Sequence, residues 1–204
     1  MYIDLEYLNH LADFRAPQLV KFIGRSVGPE LSPFRRADVE INTRLVTFTL
    51  YRHANYPSWD RLSAQTTIRF KGINWGFSWN FSYLAQMFSQ FSATLSNAVH
   101  LKLWVDPIVY SQLGGTDNSE WLQLLHRFSA VQTLFVSQTV AWDLALVLED
   151  ITAVTEVLPS LNLLCLEGEP ASSVGRFVAA RRLADRPVTV IDMETEYERV
   201  TLRQ

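Results

Sequence analysis

Four apolar residues at relative positions 0, 3, 6 and 8 recur along this chain: Leu95, Ala98, Leu101, Leu103; then Phe128, Val131, Leu134, Val136; then Leu158, Leu161, Leu164, Leu166. A weaker copy, Leu62, Gln65, Ile68 and Phe70, breaks the pattern with one polar residue. The leading residues follow one another at intervals of 33, 33 and 30, a length that suits one strand plus one helix. The last two residues of each set are two apart, which puts them on one face of a short strand. A single strand and helix cannot bury such a face alone, so a chain with this period is driven to stack its units.

Between the strands the apolar period changes to that of helices. Leu84, Met87, Phe88, Phe91 and Leu95 form one stripe, Trp121, Leu122, Leu125 and Phe128 a second, and Val140, Leu144, Val147, Leu148, Ile151 and Val154 a third. Asp117 followed by Glu120 reads as a capping box ahead of Trp121, with a turn at Gly114 and Gly115. Met1 to Tyr7 reads as a strand already in progress. Leu45 to Tyr51 and Thr66 to Lys71 alternate like strands and suit a long hairpin around Pro57. Val174, Phe177, Val178 and Leu183 predict a last helix, and Pro187 to Ile191 a last strand. The expected fold is α/β: an irregular open stack of strand-helix units over residues 1–192, with parallel strands on one face and helices on the other. A charged C-terminal tail, 193–204, follows. An ordinary α/β sheet whose units share a length is the alternative.

Composition narrows the classes of function. With 204 residues, 48% hydrophobic and 19% charged, and a mean hydropathy of +0.03, the chain fits one soluble domain. Its one cysteine, Cys165, has no partner for an internal disulfide, which points to a reducing compartment, cytoplasm or nucleus. A net charge of -3 gives no footprint for a phosphate backbone, so nucleic acid is not expected as a partner. No apolar run reaches the length of a membrane span, and the first residues lack the basic and apolar regions of a secretory signal.

The sequence carries no phosphate-binding glycine loop, His-Glu-x-x-His, Cys-x-x-Cys or Gly-x-Ser-x-Gly, so no enzyme activity, cofactor or metal is expected. His10, His53, His100 and His126 are too widely spaced for a local metal site. His126, beside Arg127 at a helix end, reads as a dipole partner, and Cys165 as a small core hydrophobe. Glu194, Glu196 and Glu198 read as a solvated acidic run. Trp59, Trp75 and Trp79, interleaved with Phe70, Phe77 and Phe81, suit core packing or a partner site. If Leu101, Leu103, Leu134, Val136, Leu164 and Leu166 point inward, alternation turns His100, Lys102, Trp104, Thr133, Phe135, Leu163, Cys165 and Glu167 to the other face. Of these, His100, Lys102, Trp104, Thr133, Phe135, Leu163 and Glu167 are the candidate protein-binding residues. Trp104, Phe135 and Leu163 are expected to form an exposed apolar patch that calls for a partner.

Three segments, EWLQLLHRFSAVQTLFVS (120–137), TEVLPSLNLLCLEG (155–168) and VGRFVAARRLADRPV (174–188), with FRAPQLVKFIGR (14–25) upstream, resemble the C-terminal, leucine-rich-repeat-like half of F-box proteins from mushroom-forming fungi. The resemblance covers most of the chain, from about Met1 to Ile191. It implies a non-catalytic module that recruits an unknown protein substrate to a Skp-cullin-F-box ubiquitin ligase. In that family a preceding F-box docks on the Skp-type adaptor, opening on a Leu-Pro-x-Glu-like motif, and this sequence shows none; Leu158-Pro159 is followed by Ser160 and Leu161. The chain is therefore expected to be a piece of a longer protein or a relative without the adaptor-docking module, and a Skp-type partner is expected only with an F-box upstream. A repeat scaffold with no ubiquitin role is the alternative. A weaker one is a hydrolase with a non-local site built from His53, Asp60, His126 and Asp143.

Overall fold

A computed structural model describes residues 2–6, 34–42, 45–52, 66–71, 95–108, 118–149, 157–168 and 171–193. Among these residues eight strands form one mixed sheet: β1 (Tyr2–Glu6), β2 (Arg36–Ile41), β3 (Leu45–Tyr51), β4 (Thr66–Lys71), β5 (His100–Val105), β6 (Thr133–Val136), β7 (Leu163–Leu166) and β8 (Thr189–Asp192). Their spatial order is β1-β4-β3-β2-β5-β6-β7-β8. Only β3 runs against the others, so the sheet is mostly parallel and the class is α/β. Among the described residues three helices follow in turn: α1 (Asn118–Leu125), α2 (Gln138–Glu149) and α3 (Gly175–Leu183), the last entered through a 3-10 turn at Ala171–Val174.

From β5 to β8 the strands lie side by side in chain order, in parallel and with no slip of register. Leu101 stands opposite Leu134, Leu134 opposite Leu164, and Leu164 opposite Val190. A turn precedes each of the first three strands, with the same backbone bond closing it: Ala98 N donates to Leu95 O (2.9 Å), Val131 N to Phe128 O (3.2 Å) and Leu161 N to Leu158 O (3.0 Å). The sequence spacing 0, 3 therefore encodes this turn, and 6, 8 the inward face of the strand. All twelve residues of the three full copies are buried, Leu101, Leu134 and Leu164 completely. Each such leucine contributes about 1.5–3 kcal/mol by leaving water.

The helices pack on that same face. Trp121, Leu124 and Leu125 of α1, Val140, Leu144, Val147 and Leu148 of α2, and Phe177 of α3 share one core with the inward residues of β2, β3, β5, β6 and β7. Ser137 fixes where α2 begins: its carbonyl accepts from Ala141 N at 3.0 Å, while its Oγ accepts from Val105 N at 3.2 Å. A residue type suited to capping a helix here also ties that helix to the end of β5. Among the described residues no helix is long and apolar enough to cross a membrane.

Upstream the arrangement departs from the expected one. The hairpin of β3 and β4 is present and antiparallel, yet Ile68 and Phe70 on β4 pair with Phe48 and Val46 rather than with β5. The weak copy at Leu62 to Phe70 is thus not the neighbour of the first full copy. That place belongs to β2, where Ala37, Val39 and Ile41 lie opposite Leu101, Leu103 and Val105. Asn42 closes the β2–β3 connection, its Oδ1 accepting from Leu45 N at 2.9 Å. The helical stripe from Leu84 to Phe91, the turn at Gly114 and Gly115, the cap at Asp117, the tryptophans at 59, 75 and 79, and the tail from 194 lie outside the described residues.

Candidate functional site

The face of the sheet away from the helices is ordered in rows by the register. One row runs Tyr51, Arg36, His100, Thr133, Leu163, Thr189; the next runs Thr49, Asp38, Lys102, Phe135, Cys165, Ile191; a third runs Thr47, Glu40, Trp104. The candidate residues His100, Lys102, Trp104, Thr133, Phe135 and Leu163 therefore do share one face, on three adjacent strands. Glu167 stands just past the end of β7, exposed, its amide donating to Val136 O at 3.1 Å. Next to it Gly168 takes φ +70°, where a side chain is strained.

Burial corrects the expected patch. Trp104, Phe135 and Leu163 are half-buried rather than exposed, and Thr133 (7% exposed) and Cys165 (2%) are buried. What remains accessible is a diagonal ridge from Trp104 on β5 across Phe135 on β6 to Leu163 on β7, with His100 and Lys102 half-buried beside it. The thiol of Cys165 is packed away in its row and is not presented as a nucleophile.

Beside the ridge, β2 and β3 hold a polar centre that sequence reasoning missed. Arg36 and Asp38 are each 6% exposed and form a two-point ion pair along one strand, Nε to Oδ1 at 2.7 Å and Nη2 to Oδ2 at 2.6 Å. The Arg36 guanidinium also lies 4.7 Å from the centre of the Tyr51 ring. Burial, then the Asp38 carboxylate, push the Tyr51 hydroxyl up to about 12, so it stays protonated at neutral pH. The available signal was the alternation of charged and apolar residues in Arg36-Ala-Asp-Val-Glu-Ile41.

His100 links the two halves of the face. Burial first, then the charges of Arg36 and Arg35, lower its pKa below the ordinary 6.5. The folded state thus binds a proton less readily than the unfolded chain, and the stability tied to neutral His100 is full above pH 6.5 and is lost as pH falls through its lower folded value. Thermal melts of the protein and of His100→Asn between pH 7 and 5 test this: the protein is expected to lose melting temperature more steeply with acid than the variant. Parallel slopes would assign the acid sensitivity to other groups.

His126 is exposed in the turn after α1 and Asp143 is half-buried on α2, whereas His53 and Asp60 lie outside the described residues. Among the described residues no group of three or more His, Cys, Asp or Glu stands close enough to hold a metal ion. No protein-family model matches the chain, and neither a curated protein nor a solved structure matches it.

Proposed function

We propose that the chain is a non-catalytic protein-binding module, an irregular leucine-rich-repeat-like stack similar to the substrate-recognition part of an F-box subunit of a Skp-cullin-F-box ubiquitin ligase, acting in the cytoplasm or nucleus. The observation that carries the binding role is the diagonal of Trp104, Phe135 and Leu163. Three large apolar side chains stay partly accessible on neighbouring strands, on the face that no described helix covers. Tryptophan in particular is enriched among the few residues that dominate binding energy at protein interfaces. The ubiquitin role rests on the sequence resemblance of residues 120–137, 155–168 and 174–188 alone.

The test uses proximity capture in cells with the natural full-length gene product. Trp104→Ala combined with Phe135→Ala is expected to reduce capture of the principal partner at least about tenfold, the effect of removing roughly 1.4 kcal/mol or more of binding. The fold should persist, because neither side chain points into the core. Trp142 on α2, 57% exposed on the opposite layer, is the control, and Trp142→Ala should leave capture unchanged. Capture that survives the double substitution and fails with Trp142→Ala would move the binding surface to the helices. Recovery of a Skp-type adaptor in stoichiometric amount supports the ligase role, and its consistent absence leaves a scaffold.

A further inference from the structure

Between Gly175 and Arg186 the chain concentrates positive charge. Arg176, Arg181, Arg182 and Arg186 stand there against the single acid Asp185, although the whole sequence carries a net charge of -3. Arg176, Arg182 and Arg186 are exposed, and Leu183 among them is 90% exposed. Cations in the last turn of α3 offset the helix dipole, but a helix end carries only about half an elementary charge. The surplus is therefore not accounted for by the helix itself. Arg181 adds to it from below: it is 1% exposed, donates to the carbonyls of Pro159 and Leu161, and has no carboxylate partner among the described residues. Burial and then the Arg186 charge lower its pKa, so the neighbouring charge it feels has its own sign. Beside α3 packs α2, which presents Trp142 (57% exposed) and, one turn on, Leu146 (48%) to solvent.

We propose that the outer faces of α3 and α2 form a second docking surface, for an acidic segment of a partner protein that carries apolar side chains between its carboxylates. Charge complementarity selects this occupant. The planar guanidinium forks of Arg176 and Arg182 match carboxylates in geometry, and the buried charge of Arg181 strengthens the field above it. Leu183 and Trp142 then receive the apolar side chains. A long polyanion such as a nucleic acid would extend past the arginines onto a chain whose net charge repels it. A bilayer would need a broad apolar face, whereas α3 offers one exposed leucine. The surface lies on the layer opposite the ridge of Trp104, Phe135 and Leu163, so it stands apart from the binding role proposed for that ridge.

The experiment is fluorescence anisotropy of the full chain with a fluorescein-labelled peptide, Glu-Glu-Leu-Glu-Glu-Phe-Glu-Glu, at low and physiological salt, with circular dichroism as the folding check. The peptide is expected to bind more weakly as salt rises. Arg182→Glu, which turns an attraction into like-charge repulsion, is expected to raise Kd at least about tenfold. Arg35→Glu makes the same change in net charge at an exposed arginine ahead of β2 and should leave Kd unchanged. Arg181→Met, which removes the buried charge, and Leu183→Ser, which removes an exposed apolar contact, are each expected to raise Kd about threefold in a folded protein. Trp104→Ala with Phe135→Ala should leave the peptide bound, so this proposal and the role of the ridge fail separately. Absence of binding overturns the proposal, as does equal weakening by Arg182→Glu and Arg35→Glu, or loss of the peptide with the ridge variant. Displacement of the peptide by a single-stranded oligothymidylate or by phosphatidylserine vesicles also overturns it, in favour of a nucleic acid or a membrane. If Arg182→Glu does not fold, Arg182→Gln takes its place, with a rise in Kd of about threefold as the criterion.

Discussion

Leu164→Ala is expected to lower the unfolding free energy by about 2–5 kcal/mol, and Leu163→Ala, one residue earlier on the same strand, by about 1 kcal/mol or less. Leu164 is fully buried between Leu134 and Val190 on the core side, and its truncation leaves a void that helices on one face and neighbouring strands cannot close together. Leu163 is half-buried on the other face, between Thr133 and Thr189, so its truncation removes less buried surface. Against a domain stability on the order of 5–15 kcal/mol, the first change removes a large share. Urea titrations read both, as shifts in midpoint at a common slope. Equal losses would mean that β7 does not present its two faces as the ladder register requires.

Arg181 gives the second large effect. It lies on α3 only 1% exposed, the largest fully buried side chain of the described core, with its guanidinium 5.8 Å from the Phe177 ring. Nη2 donates to Leu161 O at 2.7 Å and to Pro159 O at 3.3 Å, joining α3 to the turn that feeds β7. Among the described residues nothing accepts from Nε or Nη1, and burial, then Arg186, lower its pKa. Arg181→Ala removes the stem and leaves the buried Leu161 carbonyl and the half-buried Pro159 carbonyl without their donor, for an expected loss of about 3 kcal/mol. Arg181→Met keeps most of the volume and removes a buried charge that forms no ion pair among the described residues, so it is expected to lie much closer to the wild type. Calorimetric melts decide the order; a Met variant as unstable as the Ala variant would make the hydrogen bonds, not the packing, the dominant contribution.

These two residues mark where sequence reading succeeds and where it stops. Leu164 was legible because three copies of one apolar pattern agree on which face of the strand is inward, and the structure aligns those copies residue for residue. The helices α1 to α3, the antiparallel pairing of β3 with β4, and the strand at β1 were legible for the same local reasons. Arg181 was not, because hydrophobic periodicity treats any arginine as solvated, and its burial depends on carbonyls twenty residues upstream. The strand β2 was lost for a related reason: Arg36 and Asp38 neutralise each other inside the protein, which no pattern of single residues records. Alternation placed the candidate residues of β5, β6 and β7 on one face of the sheet but could not grade their exposure, for Thr133 and Cys165 are buried there.

The place of β2 says something about how this chain tolerates change. Between β2 and β5 the chain leaves the sheet order, builds β3 and β4 antiparallel on the far side, and returns to lay His100 opposite Arg36. That excursion is roughly twice the length of the connection from β5 to β6, and doubling a flexible loop costs only about 0.6 kcal/mol in closure entropy. A ladder held by register at each rung can thus accept added segments between rungs with little penalty. Homologous chains could vary most in the lengths of these intervals while keeping every strand in its lane, so insertion and deletion, rather than substitution, would be the cheap route to new surfaces.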